Sequence, residues 1–264
     1  MSEAYKLKSI IKSYIWGGNY FKPYRKGDFE NISESWELSI RKDNNVLVEP
    51  NNKPLNELIT DKDLGPACRR FPYFPLLIKL IDAKDNLSIQ VHPSDDYALK
   101  NENSFGKSEM WHIIDADKDA GLYVGLNKDY SKEQIEKKLK DSSILECLNF
   151  YKVKSGDTFL INPGTIHAIG KGVRLIEIQQ NSDLTYRLYD YLRKDKNGNY
   201  RELHIDKALK VINYSKYENS PIKGDVLANN QYFKVAKIKV NGEYRLSADE
   251  GSFKTFTFIE GKVK

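Results

Sequence analysis

The chain has 264 residues, 40% hydrophobic and 30% charged, with 42 Lys and Arg against 37 Asp and Glu for a formal net charge of +5. That length holds one large domain or two small ones and buries a substantial core. Basic residues alternate with acidic ones, as in RKDKNGNYRELHIDK, so the surface carries no nucleic-acid-binding stripe, and no apolar run approaches membrane-spanning length.

The N-terminus, MSEAYKLKSIIKSYIWGG, lacks the apolar core of a signal peptide. Only two cysteines are present, Cys68 and Cys147, in no metal-type spacing. Both points lead to the expectation of a cytoplasmic protein with free thiols. With 17 Tyr, 11 Phe and 3 Trp, aromatic residues favour a β-rich architecture over a helical bundle.

In chain order, the first 50 residues read as short strands broken at Gly17-Gly18 and Asn44-Asn45. KPLNELITDKDLG predicts a helix, with Pro54 in its first turn and Gly65 beyond its end. FPLLIKLIDAKDNLSIQVHP predicts two strands joined by a polar turn as a hairpin. EMWHIIDAD and AGLYVGLN predict two more strands. YSKEQIEKKLKDSSILECL predicts the clearest helix, with Ser131 and Gln134 in capping-box spacing and Ile135 and Leu139 on its buried side. FYKVKSGDTFLINPGTIHAIGKGVRLIEIQQ returns to strands punctuated by Gly156, Pro163-Gly164 and Gly170. HIDKALKVINY predicts a helix, and YFKVAKIKV and FKTFTFIEG are again strand-like. Short strands between Gly and Pro turns, with few helices, predict a mainly β fold of barrel or jelly-roll type.

The stretch LSIQVHPSDD raises a chemical question. With strand alternation, Leu87, Ile89 and Val91 face one way, and Ser88, Gln90 and His92 the other. Gln90 and His92 combine with Glu109, in GKSEMWH, and His167, in the NPGTIHAIG turn, into a possible site. Two imidazoles, a carboxylate and an amide oxygen suit a borderline divalent ion such as Zn²⁺ with a position left open. A single Glu leaves a bound dication about one unit positive, able to polarise a substrate oxygen. His112 points to the opposite strand face from Glu109 and reads as structural, and His204, without a companion, reads likewise. The two imidazoles and one carboxylate also match the facial triad of non-haem iron oxygenases, so the chemistry stays open on these residues alone.

The motifs FPLLIKLIDAKDNLSIQVHPSD, GKSEMWHIIDA and PGTIHAIGKGVRLIEIQQNSDLTYRLYDY, with the earlier YIWGG and ESWELS, resemble the type I mannose-6-phosphate isomerases in their short bacterial form. These are metal-dependent enzymes of the cupin superfamily, and the similarity runs from about Trp16 to Tyr191. The resemblance implies Zn²⁺ held by Gln90, His92, Glu109 and His167, a catalytic Arg187 in the TYRLYD segment, and Lys79 and Lys107 in the substrate pocket. It implies interconversion of mannose 6-phosphate and fructose 6-phosphate through a cis-enediol. Glu177 and Asp190 are the acid-base candidates in the matched region, Glu177 equally a carboxylate paired with a basic neighbour; Arg174 and Arg193 read as surface residues. By the same resemblance, residues 1–220 are expected to form a catalytic cupin domain and 221–264 a smaller cupin-like segment that stops short of the family's closing strands. A non-catalytic sugar-phosphate-binding homologue and a cupin Fe²⁺ oxygenase are the competing readings. The partner expected is a small phosphosugar, with no nucleic acid and no membrane; the oligomeric state is left open.

Overall fold

The computed structural model describes residues 4–195, 197–245 and 251–261. Its main strands, in chain order, are β1 (Ile10–Lys12), β2 (Glu34–Leu38), β3 (Leu76–Ala83), β4 (Ile89–Val91), β5 (Glu109–Ala116), β6 (Gly121–Leu126), β7 (Leu148–Lys152), β8 (Thr158–Ile161), β9 (His167–Ile169), β10 (Val173–Gln180) and β11 (Tyr186–Tyr189). Six of them form one antiparallel sheet in the order β8-β5-β10-β3-β2-β1, and five form a second in the order β7-β6-β9-β4-β11. Among the described residues, three helices, α1 (Asp61–Leu64), α2 (Asp95–Glu102) and α3 (Lys132–Lys140), lie between them in sequence, and a fourth, α4 (Ile205–Ala208), follows β11.

The sheets face each other over a shared core. Ile81, Trp111, Ile113 and Leu175 of the six-stranded sheet meet Leu122, Val124 and Ile169 of the five-stranded one. Each sheet is also covered on its outer face, which explains why β3 and β10 read as nearly continuous apolar runs and not as alternating ones. Ile78, Leu80, Met110, Ile176 and Ile178 pack outward against Phe21, Leu55 and Phe74, together with Leu227, Ala228 and Phe233 from the C-terminal hairpin of Val226–Asn229 and Lys234–Ala236. Ile89, Val91, Tyr186 and Leu188 pack outward against Ile135 and Leu139 of α3 and Ala208, Leu209 and Ile212 in and after α4. The architecture is the mainly β, two-sheet arrangement expected of a jelly roll, with open sheets in place of a closed barrel.

Several local expectations change. Residues 76–91 do not form a hairpin: β3 and β4 belong to opposite sheets, and the segment between them carries the chain across the sandwich. The helix expected over 53–65 breaks in two. Lys53–Pro54 is extended, Leu55–Glu57 makes a single 3₁₀ turn, and Thr60 then restarts the chain as α1 with a capping box of its own to Asp63. His167, placed in a turn from its Gly and Pro neighbours, opens strand β9 instead. HIDKALKVINY makes one helical turn, α4. In YFKVAKIKV only Lys234–Ala236 is strand. FKTFTFIEG forms no strand over its described residues; Phe253 packs against Phe74 with ring centroids 5.2 Å apart. Residues 246–250 and 262–264 of the expected C-terminal segment lie outside the described residues.

The predicted capping box of α3 is present. Gln134 N–H donates to Ser131 Oγ (3.3 Å) and Ser131 N–H donates to Gln134 Oε1 (2.8 Å), with Ile135 and Leu139 buried below. Ser131→Ala removes one acceptor and leaves a helix N–H unpaired, so we expect a loss of about 1 kcal/mol of stability, read as a lower denaturant midpoint at unchanged slope.

Candidate metal centre

Cross-strand register assembles the site. On the inner face of the five-stranded sheet, Gln90 of β4 lies opposite His167 of β9 on one side and Arg187 of β11 on the other. His92 follows the last residue of β4. From the opposing sheet, Glu109 opens β5, and Lys107 sits two residues before it. His92, Glu109 and His167 are all buried, with ligand atoms within 4.8 Å of one another.

The distances fit a shared ion. His92 Nε2 lies 3.4 Å from Glu109 Oε1, and His167 Nε2 lies 3.7 Å from Glu109 Oε2. Donors about 2.0–2.2 Å from a tetrahedral Zn²⁺ stand about 3.3–3.6 Å apart, within about 0.1 Å of both separations. The Gln90 amide reaches to 3.4 Å from His167 Nε2, so a half-turn of that amide brings its oxygen to the same point.

The imidazoles are already set for ligation. His92 Nδ1 donates to Leu184 O at 2.7 Å and His167 Nδ1 donates to Thr165 O at 2.8 Å. Both protons therefore sit on Nδ1, and the Nε2 lone pairs point at Glu109. Burial, with Lys107 beside it, pushes His92 down to about 4 against the pull of Glu109. Burial lowers His167 as well. For Glu109, burial alone would raise the pKa, but Lys107 and then the two imidazoles hold it well below the usual carboxylate range. At neutral pH the set is two neutral imidazoles and a carboxylate, the form a metal requires. Neither Glu109 oxygen nor His92 Nε2 has a hydrogen-bond partner, although the Lys107 ammonium forms an ion pair with Oε1 at 2.6 Å. Buried polar atoms left this way are costly in an ordinary core and are natural for a ligand set. The arrangement suits a divalent metal ion.

A second polar row crosses the inner face of the six-stranded sheet. Trp36, Lys79, Glu177 and Trp111 occupy matched positions on adjacent strands β2, β3, β10 and β5. Lys79 Nζ lies 3.1 Å from Glu177 Oε1 and 3.9 Å from Glu34 Oε2. Each carboxylate is tied to an indole: Trp111 Nε1 donates to Glu177 Oε2 at 2.9 Å, and Trp36 Nε1 donates to Glu34 Oε2 at 2.6 Å. Burial works against the Lys79 charge, yet Glu177, Glu34 and Glu109 together hold its pKa above the ordinary lysine value. Sequence reasoning named Lys79 and Glu177 but not Glu34, Trp36 or Trp111, although Glu34 and Trp36 share a face in ESWELS by simple alternation.

Arg187 is held from both sides, its Nε donating to Ser88 Oγ at 3.2 Å and its Nη1 to Glu202 O at 2.9 Å. Asp190 is occupied elsewhere. It pairs with Arg193 Nη2 at 2.5 Å and accepts from Arg201 Nε and Nη2 at 2.7 and 2.6 Å. Burial would raise its pKa, but those two guanidinium groups bring it below the usual carboxylate value. Arg193, expected at the surface, has a side chain only 16% exposed and also pairs with Asp85. The Arg174 side chain is equally covered and pairs with Asp117 at 2.6 Å. His112 faces away from the site, its Nδ1 2.7 Å from Thr158 Oγ1. Among the described residues no helix is long and apolar enough to cross a membrane.

A family model described as phosphomannose isomerase type I, catalytic domain, matches residues 4–118. A mannose-6-phosphate isomerase of Streptococcus mutans is 36% identical over 260 residues, covering 93% of this chain and 82% of its own length. Mannose-6-phosphate isomerase ManA of Bacillus subtilis is 35% identical, covering 97% and 85%. Among solved structures, the mannose 6-phosphate isomerase from Bacillus subtilis matches with a TM-score of 0.76 at 34% identity, over 86% of this chain and 77% of that one. A putative mannosephosphate isomerase from Archaeoglobus fulgidus matches at 0.70 and 30% identity, over 85% and 73%. The chain belongs to the type I mannose-6-phosphate isomerase family.

Proposed function

We propose that this chain interconverts mannose 6-phosphate and fructose 6-phosphate through a cis-enediol, at a cupin-type site where Gln90, His92, Glu109 and His167 hold Zn²⁺. The observation that carries the reading is the convergence of His92, Glu109 and His167 within 4.8 Å, between two sheets that also bring Lys79 and Arg187 to their inner faces. When bound, Zn²⁺ supplies a fixed positive charge beside the sugar oxygens. Every other contribution belongs to side chains of this protein.

Moving a proton between C1 and C2 places negative charge on the two oxygens, so a fixed cation stabilises the transition state more than the ground state. Arg187 serves this role with a permanent charge and a guanidinium held in place by Ser88 and Glu202. Lys79, kept protonated between Glu177 and Glu34, acts as a hydrogen-bond donor and point charge to substrate and not as a base. Lys107, beside Glu109, is the second substrate-binding cation. Of the two carboxylates available for proton transfer, Glu177 is the better placed, because it shares a sheet face with Lys79, whereas Asp190 is saturated by Arg193 and Arg201. Two unpaired, buried thiols, Cys68 and Cys147, suit work in a reducing cytoplasm.

The test is a coupled assay on mannose 6-phosphate before and after chelation, followed by titration with Zn²⁺. We expect isomerisation to disappear on chelation and to return near one ion per chain. Zinc binding without turnover would instead favour a non-catalytic phosphosugar-binding protein, and oxygen uptake with Fe²⁺ would favour an oxygenase.

A further inference from the structure

We propose that His204 is a positioning residue for Arg187, an inference that rests on the catalytic reading of that arginine. Strand β11 is the edge of the five-stranded sheet, and its pairing with β4 slips between Arg187 and Tyr189. An edge residue at a slipped register has main-chain groups that the ladder does not hold. His204 takes both of them. Its backbone N–H donates to Arg187 O at 2.7 Å, and its ring Nδ1 accepts from Arg187 N–H at 3.3 Å. The imidazole thus stands where a neighbouring strand would present a carbonyl.

The rest of the segment completes the grip. Accepting at Nδ1 puts the His204 proton on Nε2, which lies 3.8 Å from the Glu202 carboxylate. The backbone carbonyl of the same Glu202 accepts from Arg187 Nη1 at 2.9 Å, so residues 202–204 hold the arginine at its main chain and at its guanidinium together. The segment is anchored in turn: His204 O accepts from Ala208 N–H at 2.9 Å. Ala208, Leu209 and Ile212 are buried against Ile89, Val91 and Leu188 on the outer face of the same sheet. Packing outside the sandwich is thereby transmitted to the orientation of a charge inside it.

The test uses the zinc-loaded protein and steady-state kinetics on mannose 6-phosphate. His204→Leu removes the ring acceptor and should lower kcat by about 10- to 100-fold, the usual cost of misplacing a reacting group by a fraction of an ångström to one ångström. KM and bound zinc should stay within about twofold, because Arg187 is the only group displaced. His204→Asn, whose Oδ1 can occupy the Nδ1 position, should restore kcat to within about threefold of the parent. His204→Gln carries its acceptor one methylene too far and should behave like the Leu variant, which keeps the comparison available if the Leu variant does not fold. On an Arg187→Ala background, His204→Leu should cost less than about twofold. The proposal is overturned if the Asn and Gln variants are equally slow, if His204→Leu leaves kcat unchanged, or if it slows Arg187→Ala as much as it slows the parent. Normal turnover in Arg187→Ala alone would remove the reading beneath the proposal, a result distinct from each of these.

Discussion

Glu109→Gln should yield a folded protein that neither retains zinc nor turns over mannose 6-phosphate. The substitution preserves shape and deletes the only carboxylate among the candidate ligands, which lies 3.4 and 3.7 Å from the two imidazoles. Replacing a partner one bond removed from a metal already costs about 10- to 100-fold in affinity, so loss of a direct anionic ligand should exceed about 100-fold. The Lys107 ammonium, 2.6 Å from Glu109 Oε1, compounds the effect. Without the carboxylate it becomes an unpaired buried cation that repels a dication. Metal content after gel filtration and the coupled assay check both parts. A variant that keeps stoichiometric zinc would show that Glu109 is held in place for Lys107 and not for an ion.

Arg187→Ala should divide the two functions of the pocket. Arg187 lies beside Gln90 in register but contributes no ligand atom, so zinc should remain bound while kcat falls by about 10²- to 10³-fold, the range found when a preorganised donor to a developing oxyanion is removed. Arg187→Lys should recover little of the loss. The native guanidinium spans Ser88 Oγ and Glu202 O with separate nitrogens, and an ammonium on a flexible stem cannot reproduce that fork. Turnover close to that of the parent with the metal still bound would sink the assignment.

The candidate cluster of His92, Glu109 and His167 was legible because part of the information is local. Alternation alone placed Gln90 and His92 on one face of a strand, and a short list of histidines narrowed the partners. The fold class was equally legible from aromatic content and closely spaced turns. What stayed hidden depends on long-range register. Nothing within FPLLIKLIDAKDNLSIQVHP distinguishes a hairpin from two strands that part to opposite sheets, since β3, Lys79 and Asp82 apart, carries apolar residues on both faces in either case. The row Trp36–Lys79–Glu177–Trp111 is written in four segments spread over the chain, and only pairing brings them side by side. His204 looked solitary for the same reason: its partner is an edge strand's main chain, which carries no residue-type signal.

The candidate donors come from both walls of the sandwich, Glu109 from one sheet and Gln90, His92 and His167 from the other, and that origin gives the interior an additional task. The gap those donors span is set by the side chains wedged between the walls, among them Ile81, Trp111, Leu122 and Val124. These residues act as a shim. Zinc is bound at about 2.0–2.2 Å and calcium at about 2.3–2.6 Å, so a difference of one or two methyl groups in that filling, where Val124 pairs with His167 and the Trp111 ring lies 5.3 Å from the His167 ring, would be enough to retune which cation such a site prefers.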